Sequence, residues 1–243
     1  MKAKIIMILT LGRSGSTNFI TMMKNFENIN INTEMFNPNN FQVNTSNEKL
    51  LILKYGNNYT NFILKNKLQC EALLYLAENC EEEFLVFKCF LNQLSKEQIK
   101  YLIDNNHIYY TIIFERRNTL DSYISSKKAS KINKWGNVST SHIKIEFNID
   151  DYIKSKKRHL NVYKFYHKIL RNVKNHSYIE YKDTFNVTNF LDQIKSLIPE
   201  LSINNISEHF CKKKQDNSND YKDKIINYEE VKEFINIESI KIN

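Results

Sequence analysis

Glycine, proline and arginine are all scarce in this chain of 243 residues, which holds 4 Gly, 2 Pro and 5 Arg. So few glycines exclude a collagen-like or Gly-rich linker protein, and two prolines exclude a Pro-rich scaffold. The 4 cysteines, Cys70, Cys80, Cys89 and Cys211, form no C-x-x-C pair, and no His spacing completes a metal site. Buried, reduced thiols and no metal are expected. Long hydrophobic runs are missing too. Residues 4–11 (KIIMILTL) are too short to span a membrane, and no small-residue cleavage site follows them. The expectation is a cytoplasmic protein without a transmembrane segment.

What is plentiful is Lys, Ile and Asn, the last at about one residue in seven. This is the pattern of AT-rich coding. The formal net charge of +8 favours an anionic partner: nucleic acid, a membrane surface, a nucleotide or a sulfated substrate. Coding bias that supplies lysine everywhere weakens that argument, since the lysines are spread out and the one dense run is Lys212-Lys213-Lys214. Against such a background each Gly and each Arg is informative. Length and composition fit one globular domain over residues 1–243.

Residues 4–11 are continuously apolar, as in a strand covered on both faces. After a polar break at 12–16, residues 16–27 space Phe19, Ile20, Met22, Met23 and Phe26 along one helical face. Further on, 61–79 reads as a helix, 84–90 as a strand, 95–104 as a helix capped by Ser95, and 108–114 as a strand. Helices follow at 118–131, capped by Asn118, and at 151–173. A short strand at 177–181 and helices at 187–198 and 228–237 complete the reading. Alternating strands and helices predict a three-layer α/β/α fold of P-loop-like type around a mainly parallel sheet. The Asn-rich stretch 36–60 reads as an irregular substrate loop.

Two of the four glycines stand between the first strand and the first helix, in Leu11-Gly12-Arg13-Ser14-Gly15-Ser16-Thr17. Backbone N–H groups at a helix start make an anion site, glycines allow close approach, and Arg13, Ser14, Ser16 and Thr17 add a fixed charge and hydroxyl donors. The loop is a phosphate-type cradle. It lacks the Lys of G-x-x-x-x-G-K-[ST] and the third glycine of the dinucleotide fingerprint. An ordinary turn capped by Ser14 or Ser16 is the plain alternative. Two more arginines, Arg116 and Arg117, end a strand, with Ser125 eight residues beyond Arg117. A dianionic phosphate wants such a guanidinium with a hydroxyl donor.

The loop and the Arg-Asn-x-x-x-x-x-x-Ser spacing together resemble the sulfotransferases that use 3′-phosphoadenosine 5′-phosphosulfate, in particular the carbohydrate and tyrosyl-protein branch. The resemblance implies that Gly12 to Thr17 hold the 5′-phosphosulfate, and Arg117 with Ser125 the 3′-phosphate. It implies that Tyr181, in YIEYKDTF, stacks on the adenine, although Lys182 stands where the family has Glu. Lys213, Lys214 and Gln215 resemble a late basic loop that closes over the 3′-phosphate. Asn32-Thr33-Glu34-Met35-Phe36-Asn37-Pro38 resembles a G-E-x-F-N-P stretch without its Gly, which makes Glu34 the candidate base. Lys88, in the apolar strand FLVFKCF, matches a G-F-K strand that lines the active site. Catalysis is thus expected from Glu34, Arg13 and Lys88, with a small-molecule, glycan or peptide acceptor and no nucleic acid.

Glu27 is a weaker base candidate because it ends the first helix. His107, His159, His167 and His176 have no partner pattern and read as surface residues, and Trp135 as either an acceptor platform or a packing residue. Two other readings stay open: a P-loop-type small-molecule kinase, for which Glu115 follows a strand, and a basic nucleic-acid-binding module.

Overall fold

The computed structural model describes residues 2–38, 41–133, 140–204 and 220–241. Five apolar segments become strands: β1 (Lys4–Leu9), β2 (Ile29–Asn32), β3 (Phe84–Cys89), β4 (Tyr110–Glu115) and β5 (His176–Glu180). They lie in the order β2-β3-β1-β4-β5, and every pair is parallel. A fully parallel sheet needs crossovers that cover both faces, which is why β3 is buried at all six positions.

The helices are α1 (Ser16–Met23), α2 (Thr45–Tyr55), α3 (Tyr59–Lys65), α4 (Gln69–Asn79), α5 (Lys96–Asp104), α6 (Thr119–Lys131), α7 (Ile149–Leu170), α8 (Val187–Leu197) and α9 (Tyr228–Ile240). Side chains alternate across each strand and so feed two cores. Ile5, Met7, Leu9, Leu85, Phe87 and Ile113 pack with α2 to α5 and α7. Ile6, Ile8, Val86, Ile112, Phe114 and Ile179 pack with α1 and α8. Phe19 of α1 lies 4.8 Å from the Phe114 ring and 4.9 Å from that of Phe190. A third cluster joins α6, the start of α7 and α9. This is the expected three-layer α/β/α architecture. Among the described residues no helix is long and apolar enough to cross a membrane.

Two expectations are corrected. Residues 36–60 are not a continuous irregular loop, because 45–55 form α2. Its N-cap Asn44 accepts from the Asn47 amide, and Asn47 Nδ2 reaches Asn30 Oδ1 at 2.7 Å and Asn32 Oδ1 at 3.0 Å in β2. These amide hydrogen bonds tie α2 to β2, and Leu51 of the same helix is buried in the first core. The helix expected over 61–79 is two, α3 and α4. Lys67 between them has a φ of 57°, a left-handed conformation that ends a helix even without glycine.

The third cluster contains a buried carboxylate. Glu238 accepts from Tyr152 and Lys241, each at 2.9 Å, and pairs with Lys156. Burial by itself raises its pKa, but the hydrogen bonds from Lys156, Lys241 and Tyr152 outweigh burial and hold it down to about 2. A carboxyl depressed in the folded state stabilises above its unfolded pKa, and that gain is lost as pH falls through the folded value. Glu238→Gln is expected to cost on the order of 2 kcal/mol at neutral pH. The difference from wild type, read from urea midpoints, should shrink between about pH 4.5 and pH 2. A difference that does not change with pH would contradict this account.

Candidate active site

All the candidate groups on described residues lie at or just beyond the C-terminal ends of the strands, where parallel sheets present their loops. β1 leads into the turn at 10–15. The buried hydroxyls of Thr10 and Ser14 lie 2.7 Å apart and pin that turn, and Tyr166 of α7 donates to the Thr10 carbonyl at 3.2 Å. Arg13 (φ 65°) and Gly15 (φ 87°) are both left-handed. Gly15 is the N-cap of α1, and no side chain caps this helix. The plain alternative of a serine-capped turn is therefore not what forms. The first-turn amides of α1 instead face a backbone bend with the helix dipole behind them. Gly12 is open around its Cα, with no atom near the position of a Cβ, whereas a Cβ on Gly15 would overlap the Tyr181 ring.

Parallel pairing of β2 with β3 brings Glu34 to Lys88. Asn32 is in register with Phe87, and the Lys88 amide donates to the Thr33 carbonyl at 3.2 Å. The Lys88 ammonium, 3% exposed, meets Glu34 Oε1 at 3.1 Å and Thr17 Oγ1 at 3.4 Å. Asn37 donates to Glu34 Oε2 at 2.7 Å. Burial draws the Lys88 pKa below the ordinary lysine range, and the Glu34 charge opposes that shift. Thr33 Oγ1 bonds Gln42, and Met35 and Phe36 are buried, so the segment carrying Glu34 is fixed on both sides.

A second group forms around α6. Arg13 donates from Nε and Nη2 to Ser125 Oγ at 2.9 and 2.8 Å. Arg116, at the end of β4, lies with its guanidinium 4.8 Å from the centre of the Tyr181 ring and pairs with Asp121 at 3.0 Å. Burial, then the Arg116 charge, lowers the Arg13 pKa. Two partly buried guanidiniums that repel one another gain most when an anion comes between them. Arg117 turns the other way: it donates to the Tyr178 hydroxyl at 3.0 Å, lies 3.6 Å from Glu180, and is 60% exposed.

The structure therefore brings Glu34, Lys88 and Thr17 together, and Arg13, Ser125, Arg116 and Tyr181 together. Tyr181 packs its ring on the Gly15 backbone. Trp135 and Lys213, Lys214 and Gln215 lie outside the described residues. Sequence reasoning missed Lys224, which is buried and 3.5 Å from the Asp121 carboxylate. Nothing local marks it, because the contact spans the chain from α6 to the turn before α9. His159, read as a surface residue, is in fact buried, 3.2 Å from Glu115 at the end of β4 and against Tyr163.

No family model and no curated protein matches the sequence. Solved structures do match the fold. The chain is similar to a sulfotransferase domain from the curacin biosynthetic pathway, with a TM-score of 0.54 and 15% identity over 89% of this chain and 80% of that one. It is also similar to the sulfotransferase domain of the Synechococcus PCC 7002 olefin synthase, with a TM-score of 0.52 and 13% identity over 88% and 80%. The α/β fold of this chain is that of these sulfotransferase domains.

Proposed function

We propose that this chain is a sulfotransferase that uses 3′-phosphoadenosine 5′-phosphosulfate and delivers the sulfuryl group to an acceptor hydroxyl. One observation carries the reading. Arg13 of the first loop bonds Ser125 of α6 with Arg116 beside it, so two anion-binding motifs far apart in sequence form one cationic cradle. Glu34 and Lys88 stand against Thr17 of the same loop. The sulfotransferase fold of the two solved domains agrees with it.

The donor set suits a nucleotide carrying phosphates at both ends. The uncapped first turn of α1, Arg13, Ser16 and Thr17 hold the 5′ end. Ser125 and Arg116 hold the 3′-phosphate, and Tyr181 holds the base; Arg117, turned to Tyr178 and Glu180, stays outside the cradle. When bound, the nucleotide supplies the sulfuryl group and takes the electrons of the broken S–O bond onto its 5′-phosphate. Glu34 accepts the proton of the acceptor hydroxyl as that oxygen bonds to sulfur. Lys88, Arg13 and Thr17 balance charge on the oxygens around the reacting bond. The reading places the chain nearest the carbohydrate and tyrosyl-protein branch, in the cytoplasm, as one domain over 1–243.

Adenosine 3′,5′-bisphosphate at a hundredfold excess over its Kd is expected to raise Tm by roughly 5–10 °C. ATP with Mg²⁺ is expected to give no shift. Arg116→Ala should weaken bisphosphate binding by about 10- to 100-fold, and Arg117→Ala by clearly less. Absence of a shift in the wild type, or a shift that Arg116→Ala leaves untouched, would remove this function; a shift with ATP alone would turn the reading toward phosphoryl transfer.

A further inference from the structure

Lys224 is only 7% exposed, and a lysine that deep needs a countercharge. Among the described residues its one carboxylate partner is Asp121, with Oδ1 at 3.5 Å. The segment that carries Lys224 is fixed. Its amide donates to the Tyr221 carbonyl at 3.0 Å, its carbonyl accepts from the Ile145 amide at 2.9 Å, and Ile225 beside it is buried in the third cluster. The ammonium lies 5.3 Å from the centre of the Tyr221 ring, and the Tyr221 hydroxyl accepts from the Asn118 side chain at 3.4 Å. The turn before α9 therefore rests on the start of α6, the helix that supplies Ser125 to the cradle.

Asp121 is shared between two cations. Its Oδ2 meets Arg116 at 3.0 Å and accepts from the Asn118 side chain at 3.1 Å, which leaves Oδ1 to Lys224. The charge balance decides what Arg116 can do. Arg116 with Asp121 alone is a neutral pair, and an arriving phosphate would be attracted by one group and repelled by the other. Lys224 cancels the carboxylate through its second oxygen. The three groups, two cations and one anion, then carry a net positive charge. That charge falls on the Tyr181 side, where the Arg116 guanidinium lies 4.8 Å from the ring centre.

We propose that Lys224 is a positioning residue of the nucleotide site: it neutralises Asp121 and so leaves the charge of Arg116 to the 3′-phosphate. It acts through Asp121 and does not itself touch the nucleotide. The turn before α9 is then part of the site, although Lys224 and Asp121 stand 103 residues apart in sequence. The assignment rests on the reading of this chain as a sulfotransferase that binds a 3′-phosphorylated nucleotide.

Calorimetry on the full chain tests it with adenosine 3′,5′-bisphosphate and adenosine 5′-monophosphate, which differ only in the 3′-phosphate. Lys224→Gln leaves Asp121 paired with Arg116 and Asn118, so it orphans no charge and the fold should stand. It should weaken the bisphosphate about tenfold or more and the monophosphate by less than about threefold. A residue that only supported the fold would weaken both alike. In Lys224→Gln/Asp121→Asn the net charge returns to that of the wild type, and bisphosphate affinity should return to within about threefold of it. Asp121→Asn alone uncovers both cations and should tighten the bisphosphate about threefold or more. Bisphosphate binding that Lys224→Gln leaves intact, an equal loss with both nucleotides, or a double variant as weak as the single one overturns the assignment; the last would make Lys224 a direct contact of the phosphate. If Lys224→Gln does not fold, Asp121→Asn decides, and unchanged or weaker binding overturns the assignment. A wild type that does not prefer the bisphosphate removes the sulfotransferase reading and this assignment with it. Wild-type preference with any of the adverse variant results removes the assignment alone.

Discussion

Glu34→Gln is expected to lower turnover by about 10²- to 10⁴-fold, the usual worth of a positioned general base, while leaving the thermal shift with adenosine 3′,5′-bisphosphate intact. The carboxylate is oriented by two donors, Lys88 at 3.1 Å on one oxygen and Asn37 at 2.7 Å on the other. An amide of the same shape keeps an acceptor oxygen for one of them but has no basic lone pair for a proton. Lys88 then loses its countercharge in a buried position. Because burial already lowers its pKa, it sheds its proton more readily than an ordinary lysine, which limits the damage to the fold. Bisphosphate binding depends on Arg13, Ser125 and Arg116, none of which pairs with Glu34. Turnover that survives in Glu34→Gln would end the case for this base. The His159–Glu115 pair would be tested next, since Glu115 also lies at a strand end.

The parts of this molecule that sequence reading recovers are those where one local rule decides the outcome. β1, β3 and β4 are continuous apolar runs because both of their faces are covered. α5 and α6 begin at Ser95 and Asn118, whose side chains accept from amides three residues on. The parts that escaped are decided by distant partners. α2 follows an Asn-rich stretch that favours turns, and it forms because Asn30 and Asn32 of β2 receive its cap and Asn47. His159 has no signal of its own, and its partner Glu115 lies on a strand distant in sequence.

The same distinction runs through the candidate site. The loop from Gly12 to Thr17 is local and readable, whereas the Arg117–Ser125 spacing does not foretell that Ser125 meets Arg13. Which of two adjacent arginines faces the cradle is not readable either, because successive side chains at a strand end point to opposite sides. Arg116 turns to Tyr181 and Asp121, while Arg117 turns to Tyr178 and Glu180. The meeting of Glu34 with Lys88 follows only from the register of β2 on β3, which a chain read alone does not reveal.

Gly15→Ala is expected to abolish the bisphosphate thermal shift and to lower Tm by several degrees, a larger effect than its single added methyl suggests. Two costs combine at this position. At a φ of 87° a residue with a Cβ is strained by roughly 1–2 kcal/mol, and the new carbon would overlap the Tyr181 ring. The ring has little freedom to retreat, with Arg116 4.8 Å from its centre, Phe185 at 5.0 Å and Phe114 at 6.5 Å. Moving it displaces Arg116 from the cradle, and a bent loop misdirects the first-turn amides of α1, so anion binding fails along with packing. A double-mutant cycle separates the two costs. Gly15→Ala/Tyr181→Ala removes the overlap but not the backbone strain, and should regain part of the Tm lost by the single variant. If the double variant loses the sum of the two single losses, Tyr181 does not press on the loop. Gly12→Ala is the internal control, because nothing lies near the Cβ position at Gly12. Its Tm should change by less than that of Gly15→Ala, and an equal fall would assign the effect to the loop in general rather than to the contact between Gly15 and Tyr181.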